Sequence, residues 1–465
     1  MTKRVRFVLV PFLLILLIQA IFIQIIYAKS IIEKPVRVNG TITDSLLLLD
    51  HQPQVAAFAN NVYIVWVSHH TGNDDIFFTK SSDGGASFGK IINLSNDPGD
   101  SYNPHLAIDG KNVYVVWVDG TPGPYGNPDI LFRRSTNGGT TFDTAINISE
   151  NPGFSTQPEM AVSGKNVYVV WRDNTPGNEE ISFKRSINNG ASFGSLVYVS
   201  DNSTKPINSV RPQIAANANN VYLVWSKGNF DQGHANVLFK RSINNGASFG
   251  RTLNISNNPT TLSTLQKVSM FGNRVYIVWA EGPFYNRQIF FKRSIDGGAT
   301  FENATNITNN CSLDSLNPQI VAANNNVYLL WQSNSGNVSK QIFFKRSTDG
   351  GATFENATNI SGDQKNSAHQ LLDSLGNDVY TIWDDNSTGN SQIFFKRSID
   401  GGATFSSTMS VSNPKGQSQY PDITSFNNNI YAIWQDRILG NVGIFFKILQ
   451  ENYVKYDDIF AKPLQ

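Results

Sequence analysis

The stretch Val327-Tyr328-Leu329-Leu330-Trp331, followed by Ile342-Phe343-Phe344-Lys345-Arg346-Ser347 and Thr348-Asp349-Gly350-Gly351-Ala352-Thr353-Phe354, decides the architecture. Val327-Trp331 is apolar at successive rather than alternate positions, and a strand of that kind is buried on both faces. Ile342-Ser347 reads as its partner strand and runs into a Gly-rich turn. All eight tryptophans of the 465-residue chain close the same Val/Ile-Tyr-x-aliphatic-Trp pattern, at Trp66, Trp117, Trp171, Trp225, Trp279, Trp331, Trp383 and Trp434. Successive tryptophans lie 51 to 54 residues apart, a period that indicates propellers or solenoids.

Each unit reads as four short strands. The first begins near a proline, as in Pro318-Gln319-Ile320-Val321-Ala322, and an Asn-rich turn at Asn324-Asn326 leads to the tryptophan strand. A variable loop, the third strand, the Gly-rich turn and a fourth strand such as Asn359-Ile360-Ser361 follow. Helix signals are absent after residue 28. The expected fold is therefore all-β: a single β-propeller of eight four-stranded blades, with seven as the alternative count, preceded by one N-terminal hydrophobic helix. Its bounds are residues 1–30 for a signal peptide or membrane anchor, 31–450 for the propeller and 451–465 for a C-terminal tail. The eighth unit stops after Ile444-Phe445-Phe446-Lys447, so residues near Pro35-Thr41 are expected to complete it, with Tyr453-Phe460 as the competing candidate. Closure matters because an open ring leaves a bare strand edge.

The Gly-rich turn recurs from Ser81, Ser135, Ser186, Ser242, Ser294, Ser347 and Ser398, with Asn137, Asn188 and Asn244 in place of Asp in three copies. An Asp or Asn side chain accepts backbone N–H groups across such a turn, and Gly tolerates positive φ. Ser294-Ile295-Asp296-Gly297-Gly298-Ala299-Thr300-Phe301 resembles the Asp-box of the sialidase-like (BNR repeat) propellers, and the resemblance covers nearly the whole chain beyond residue 35. Ser81, Asp83, Ser294, Asp296, Ser347, Asp349, Ser398 and Asp400 are then structural box residues. Active members of that family present an arginine triad, a Tyr nucleophile paired with Glu, and an Asp acid/base. Their Phe-Arg-Ile-Pro-like motif is absent here. The Lys-Arg-Ser arginines (Arg185, Arg241, Arg293, Arg346, Arg397) belong to the repeat.

A net charge of +1 gives no bulk attraction to nucleic acid or to anionic lipid. Cys311 is the only cysteine, which rules out an intrachain disulfide and a Cys-based zinc site. Lys3, Arg4 and Arg6 precede an apolar run from Phe7 to Ala28 long enough to cross a bilayer. The basic flank stays in the cytoplasm, leaving the rest outside, either anchored or, after cleavage behind Ala28, secreted. Twelve Asn-x-Ser/Thr sequons suit an extracellular glycoprotein. Five of them (Asn93, Asn147, Asn254, Asn306, Asn359) fall in the fourth-strand pattern, while Asn202, Asn337 and Asn386 are loop acceptors.

Candidate site residues lie on the face opposite the boxes. Two residues beyond the tryptophans stand Asp119, Asp173, Glu281, Asp385 and Asp436. A serine recurs twelve residues before the second strand, as at Ser101, Ser155 and Ser263. One reading makes these groups caps for strand ends; the other makes them a ring holding a polar ligand or Ca²⁺, the one cofactor considered. Aromatics Tyr102, Tyr125, Phe154, Phe230, Phe284, Tyr285 and Tyr420 on the same face suit sugar rings or a protein partner. Of the arginines there (Arg172, Arg211, Arg287, Arg437), Arg172 and Arg211 with Glu159 make a minimal anion-binding set and are the residues expected of an enzyme. The sequence thus points first to a surface or secreted binding or adhesion propeller for glycan or protein ligands, leaning away from catalysis. A sialidase-like glycoside hydrolase and a non-catalytic envelope scaffold are the alternatives.

Overall fold

The computed structural model describes residues 35–38, 53–120, 127–200, 207–258, 260–309, 313–335, 339–362, 366–387, 389–438 and 441–449. The expected N-terminal helix, Tyr125 and the C-terminal tail lie outside them. Among the described residues no helix is long and apolar enough to cross a membrane.

The unit that opened the sequence reading forms four antiparallel strands, Asp314–Ala323, Asn326–Ser335, Ser339–Ser347 and Thr358–Asn359, ordered as in the chain. Six such four-stranded sheets occur, and a seventh sheet joins two more units through one parallel bridge between Ala235 and Leu262. The chain therefore makes eight blade-like units in a propeller-type, all-β fold. The tryptophan strand is buried on both faces, with Val327, Tyr328, Leu330 and Trp331 between 0% and 3% exposed. Its two faces serve different neighbours. Val327, Leu329 and Trp331 pack with Tyr276 and Val278 of the preceding unit, whereas Tyr328 and Leu330 pack with Val379 and Trp383 of the following one. A tryptophan buries about 150–250 Å², roughly 4–6 kcal/mol of gross stabilisation before entropy is counted.

The Gly-rich boxes join one unit to the next. Phe301 meets Phe239 of the preceding unit edge to face at 5.0 Å, and the pairs Phe142–Phe78 and Phe405–Phe344 repeat that contact. The ring of Phe239 presses where Gly298 (φ +79°) carries no side chain; a Cβ there would stand 2.8 Å from Phe239 Cζ. Arg241 of the preceding unit donates to the carbonyl of Gly297 at 2.9 Å, and Arg185, Arg293 and Arg346 reach the next box in the same way, whereas Arg397 pairs with Asp378 of its own unit. Within the box, Asp296 Oδ1 accepts the N–H groups of Ala299 and Thr300, both at 2.9 Å, and Oδ2 accepts the Thr300 hydroxyl at 2.7 Å. Asn188 reproduces this with one bond reversed: Oδ1 accepts Ser192 N–H at 3.1 Å, and Nδ2 donates to Ser192 Oγ at 3.0 Å. The fourth-strand Asn is also structural, since Asn147 Nδ2 donates to Asp129 Oδ2 at 2.8 Å.

The last unit has no box of its own. Val36–Arg37 pairs antiparallel with Asn441–Ile448 and supplies its fourth strand. The first box docks on it from the other side, with Phe88 against Phe446 at 5.0 Å, and Val55 N–H donates to Asp422 Oδ2 at 2.8 Å. First and last units share one apolar cluster through Val62, Trp66, Ile433 and Phe446.

Two outcomes test this joint. Gly298→Ala forces both a strained φ and the ring contact, so the urea unfolding midpoint should fall by the equivalent of about 2–3 kcal/mol, with partial recovery on adding Phe239→Leu. Hydrogen bonds from Ser81 and Ser87 hold the Asp83 carboxyl down at about 2, and those from Thr404 and Ser398 hold Asp400 at about 2. Their folded values lie below the unfolded value of about 3.9, so their contribution is present above about pH 4 and is lost as pH falls toward about 2. Asn at both positions should leave stability at neutral pH nearly unchanged and flatten the acid limb of a stability–pH curve.

Candidate functional site

Seven of the eight first strands, all but Gln54–Phe58, are broken by a bulge where they reach the middle of the molecule. Pairing with the second strand skips two residues between Tyr102 and His105, Thr156 and Glu159, Val210 and Gln213, Thr264 and Lys267, Leu316 and Gln319, Ala368 and Leu371, and Gln419 and Asp422. The first skipped residue is left-handed every time: Asn103, Gln157, Arg211, Leu265, Asn317, His369 and Tyr420 have φ between +48° and +55°. Most of these residue types avoid that region, and such strain collects at functional sites. A bulge also re-aims side chains. Here it turns two residues per unit into a central funnel of about 610 Å³, the left-handed residue at one level and the residue two further on at the next. The sequence signal is an x-Pro-x triplet in five of the seven, such as Asn103-Pro104-His105 and Tyr420-Pro421-Asp422; Leu265-Gln266-Lys267 and His369-Gln370-Leu371 lack the proline. Proline was expected to begin the strand; the strand in fact starts upstream, at Asp314 rather than Pro318 in the sixth unit.

On the first level, His369 Nδ1 lies 2.6 Å from Asp384 Oδ1, and the His369 and Tyr420 rings are 4.4 Å apart. Asp384 is 5% exposed and His369 is 42% exposed, so a buried carboxylate fixes an imidazole whose Nε2 remains for a substrate. Burial pushes the Asp384 carboxyl up, against the pull of the His369 bond. Arg211 donates to Thr264 Oγ1 at 2.8 Å. Burial lowers its pKa, as do the positive charges of Arg287 and Arg172. Those two are paired, Arg287 bidentately with Asp314 at 2.8–2.9 Å and Arg172 with Glu179 at 3.3 Å. No carboxylate stands within ion-pair distance of Arg211 among the described residues.

On the second level a polar chain crosses four units. His105 Nε2 stands 3.3 Å from Glu159 Oε2, Glu159 Oε1 accepts from Gln213 Nε2 at 2.7 Å, and Lys267 Nζ donates to Gln213 Oε1 at 3.0 Å. Burial opposes ionisation of Glu159, but His105, Lys267 and Gln213 outweigh it and hold its carboxyl below the usual range. Asp422 behaves oppositely: burial, aided by the charge of Asp373, pushes it up to about 6. Carboxyls displaced in opposite directions within one cavity suit acid and base roles.

Arg211 and Glu159 both line the funnel, on different levels, and Glu159 is bonded to His105 and Gln213 rather than to an arginine. Arg172 is held by Thr156 and Glu179. The carboxylate ring has another place than a ligand site. Asp119, Asp173, Glu281, Asp385 and Asp436 are at most 8% exposed, each directly opposite the recurring serine on the neighbouring strand. Asp173 accepts from Ser155 Oγ at 3.0 Å and Trp171 Nε1 at 3.1 Å, and Glu281 from Ser263 Oγ at 2.8 Å and Trp279 Nε1 at 2.9 Å. They pin the top of each tryptophan strand. Tyr285 is 87% exposed, outside the funnel lining. Among the described residues no group of three or more His, Cys, Asp or Glu is placed to hold a metal ion. His369, Asp384 and His105 were missed because nothing local sets them apart.

No protein-family model matches the chain, and no curated protein is similar to it. Among solved structures, an ulvan lyase of a new polysaccharide lyase family is similar over 93% of this chain and 100% of its own, with a TM-score of 0.55 at 10% identity. The same type of enzyme bound to -[GlcA(1-4)Rha3S]- gives 0.54 over the same shares at 10% identity. A sialidase of Trypanosoma rangeli is more remote, at a TM-score of 0.38 and 11% identity over 63% of this chain and 54% of its own. The shared feature is the fold, a propeller type used by carbohydrate-active enzymes, reached without membership of a specific Asp-box family being shown. The lean away from catalysis is corrected: the solved structures that match nearly the whole chain are enzymes that act on polysaccharides.

The Asp422 carboxyl yields a test of the funnel's electrostatics. Its folded value of about 6 exceeds the unfolded value of about 3.9, so the stability it contributes is full below about pH 4 and is lost as pH rises through about 6. Asp422→Asn should remove that slope and raise the urea midpoint at neutral pH relative to wild type.

Proposed function

We propose that the protein is a glycan-cleaving enzyme, that its eight units close into one ring, and that the funnel is its active site for an acidic polysaccharide. The observation that carries this reading is the first level of the funnel, where an Asp384-held His369, Tyr420 and an arginine without a carboxylate partner line one cavity. That set suits β-elimination beside a uronate. Arg211 neutralises the sugar carboxylate, which acidifies the adjacent C–H. His369 Nε2 takes that proton while the Nδ1–H stays on Asp384. The electron pair forms the ring double bond as the glycosidic C–O bond breaks, and the Tyr420 hydroxyl protonates the departing oxygen.

Hydrolysis is the second reading, favoured by the opposed shifts of Glu159 and Asp422 one level deeper. Asp422 would then serve as acid and Glu159 as base or nucleophile. Likeness to the lyases supports the fold of either reading and leaves the reaction to be tested.

Wild-type protein incubated with a panel of polyuronates and sulfated glycans should shorten at least one of them, with new ultraviolet absorbance from an unsaturated uronate. His369→Ala should lower kcat/KM by about 10²–10⁴-fold, and Arg211→Ala should raise KM. Shortening without the absorbance, abolished by Asp422→Asn, would replace elimination with hydrolysis. A folded protein that cleaves nothing on the panel would sink the enzyme reading.

A further inference from the structure

Among the described residues twelve large hydrophobic side chains are exposed, and seven of them stand on the face that carries the box turns. Ile187, Ile243, Ile295 and Ile399, 55% to 69% exposed, each fill the second position of a box. Phe58, Phe271 and Leu375, 39% to 43% exposed, end first strands at the hairpin turns of the same face. Box turns lie toward the rim and hairpin turns toward the centre, so the apolar positions spread over the face. The funnel face holds three, Phe154, Phe284 and Tyr285. Seven such side chains on the box face against three on the funnel face set the two faces apart.

The path of the chain says what covers that side. Val36 pairs with Phe446 and Arg37 with Phe445, and Val38 N–H donates to Ile444 O, so the N-terminal strand runs from the box face toward the funnel face. Pro35, at the start of that strand, therefore lies on the side of the box face. Only six residues separate Pro35 from the end of the Phe7-Ala28 apolar run, and six residues span at most about 20 Å. A bilayer crossed by that run lies within this reach of Pro35, on the side that carries the isoleucines.

We infer that the box face is a lipid-contacting surface resting on the membrane that holds the N-terminal segment, with the funnel opening away from it. Ile and Phe side chains insert at the boundary between headgroups and acyl chains, where each buried methylene adds to attachment. The nearly neutral chain makes this contact apolar rather than electrostatic, so it persists at high salt.

The test uses the full chain reconstituted in phosphatidylcholine vesicles, with Cys311→Ser as background. Ile295→Cys and Tyr285→Cys are each labelled with an environment-sensitive fluorophore, and tryptophan emission checks folding. The label at 295 should shift to the blue and be quenched by spin-labelled lipid, while the label at 285 is quenched by aqueous iodide alone. Equal iodide quenching at both positions overturns the inference. So does a label at 295 shielded from iodide and lipid quencher alike, because a second copy or another protein then covers the face. Recovery of the chain in the vesicle-free supernatant overturns it as well.

Discussion

The phenyl ring that one unit lays against the box glycine of the next is the contact on which the molecule depends. A strand buried on both faces has no stable form alone, so each unit needs a neighbour on either side. The box supplies the fit: Gly298 leaves room for the ring of Phe239, Phe301 closes over that ring, and Arg241 reaches across to the Gly297 carbonyl. Asp296 and its equivalents keep the turn shaped for this contact. Asn does the same in three units because the turn needs an oxygen acceptor for the N–H four residues on, and an amide has one. Loss of the contact in one unit exposes apolar surface on two, which is why a local change there is felt between blades.

The repeat made the fold legible. Tryptophan spacing, a strand apolar at every position and seven boxes in register specify blade-like units without any long-range information. The same regularity left the recurring carboxylates open to two readings, strand caps or a ligand ring. Asp173 and its counterparts recur because each unit needs an acceptor for a serine and for the indole N–H beside it, and recurrence of that kind marks structure. The site lies at positions where units differ. One inner-strand position holds Asn, Gln, Arg, Leu, Asn, His and Tyr from unit to unit. Such a position reads as noise until the bulge shows that all of its occupants face one cavity. Arg211 and Glu159 were legible as charges out of pattern. His369 gains its meaning from Asp384, a residue on the adjacent strand and fifteen positions away.

Strain in the inner strands and rigidity in the boxes are complementary. Seven left-handed residues each cost about 1 kcal/mol or more relative to extended backbone. They persist because the ladder resumes two residues later, with Gln213 opposite Val224 and Asp422 opposite Ile433. The funnel residues are thus held by paired backbone on both sides of the bulge. The first level carries the groups able to move protons and receive an anion. On the second level a hydrogen-bonded chain from His105 to Lys267 holds the Glu159 carboxyl down, while burial pushes the Asp422 carboxyl up.

The seam between the last unit and the first has a mechanical consequence. The N-terminal strand is two residues long and lies along the third strand of the last unit. Tension on the chain ahead of Pro35 enters the ring through that strand and acts along its axis, so its hydrogen bonds are loaded in shear together rather than peeled one by one. The docked Phe88 ring adds a lock on the neighbouring side. A pull transmitted through Val36–Arg37 therefore meets the fold at its unboxed unit, and the order in which that strand and the Phe88 contact yield determines whether the unit loses one strand or parts from the first unit along the seam.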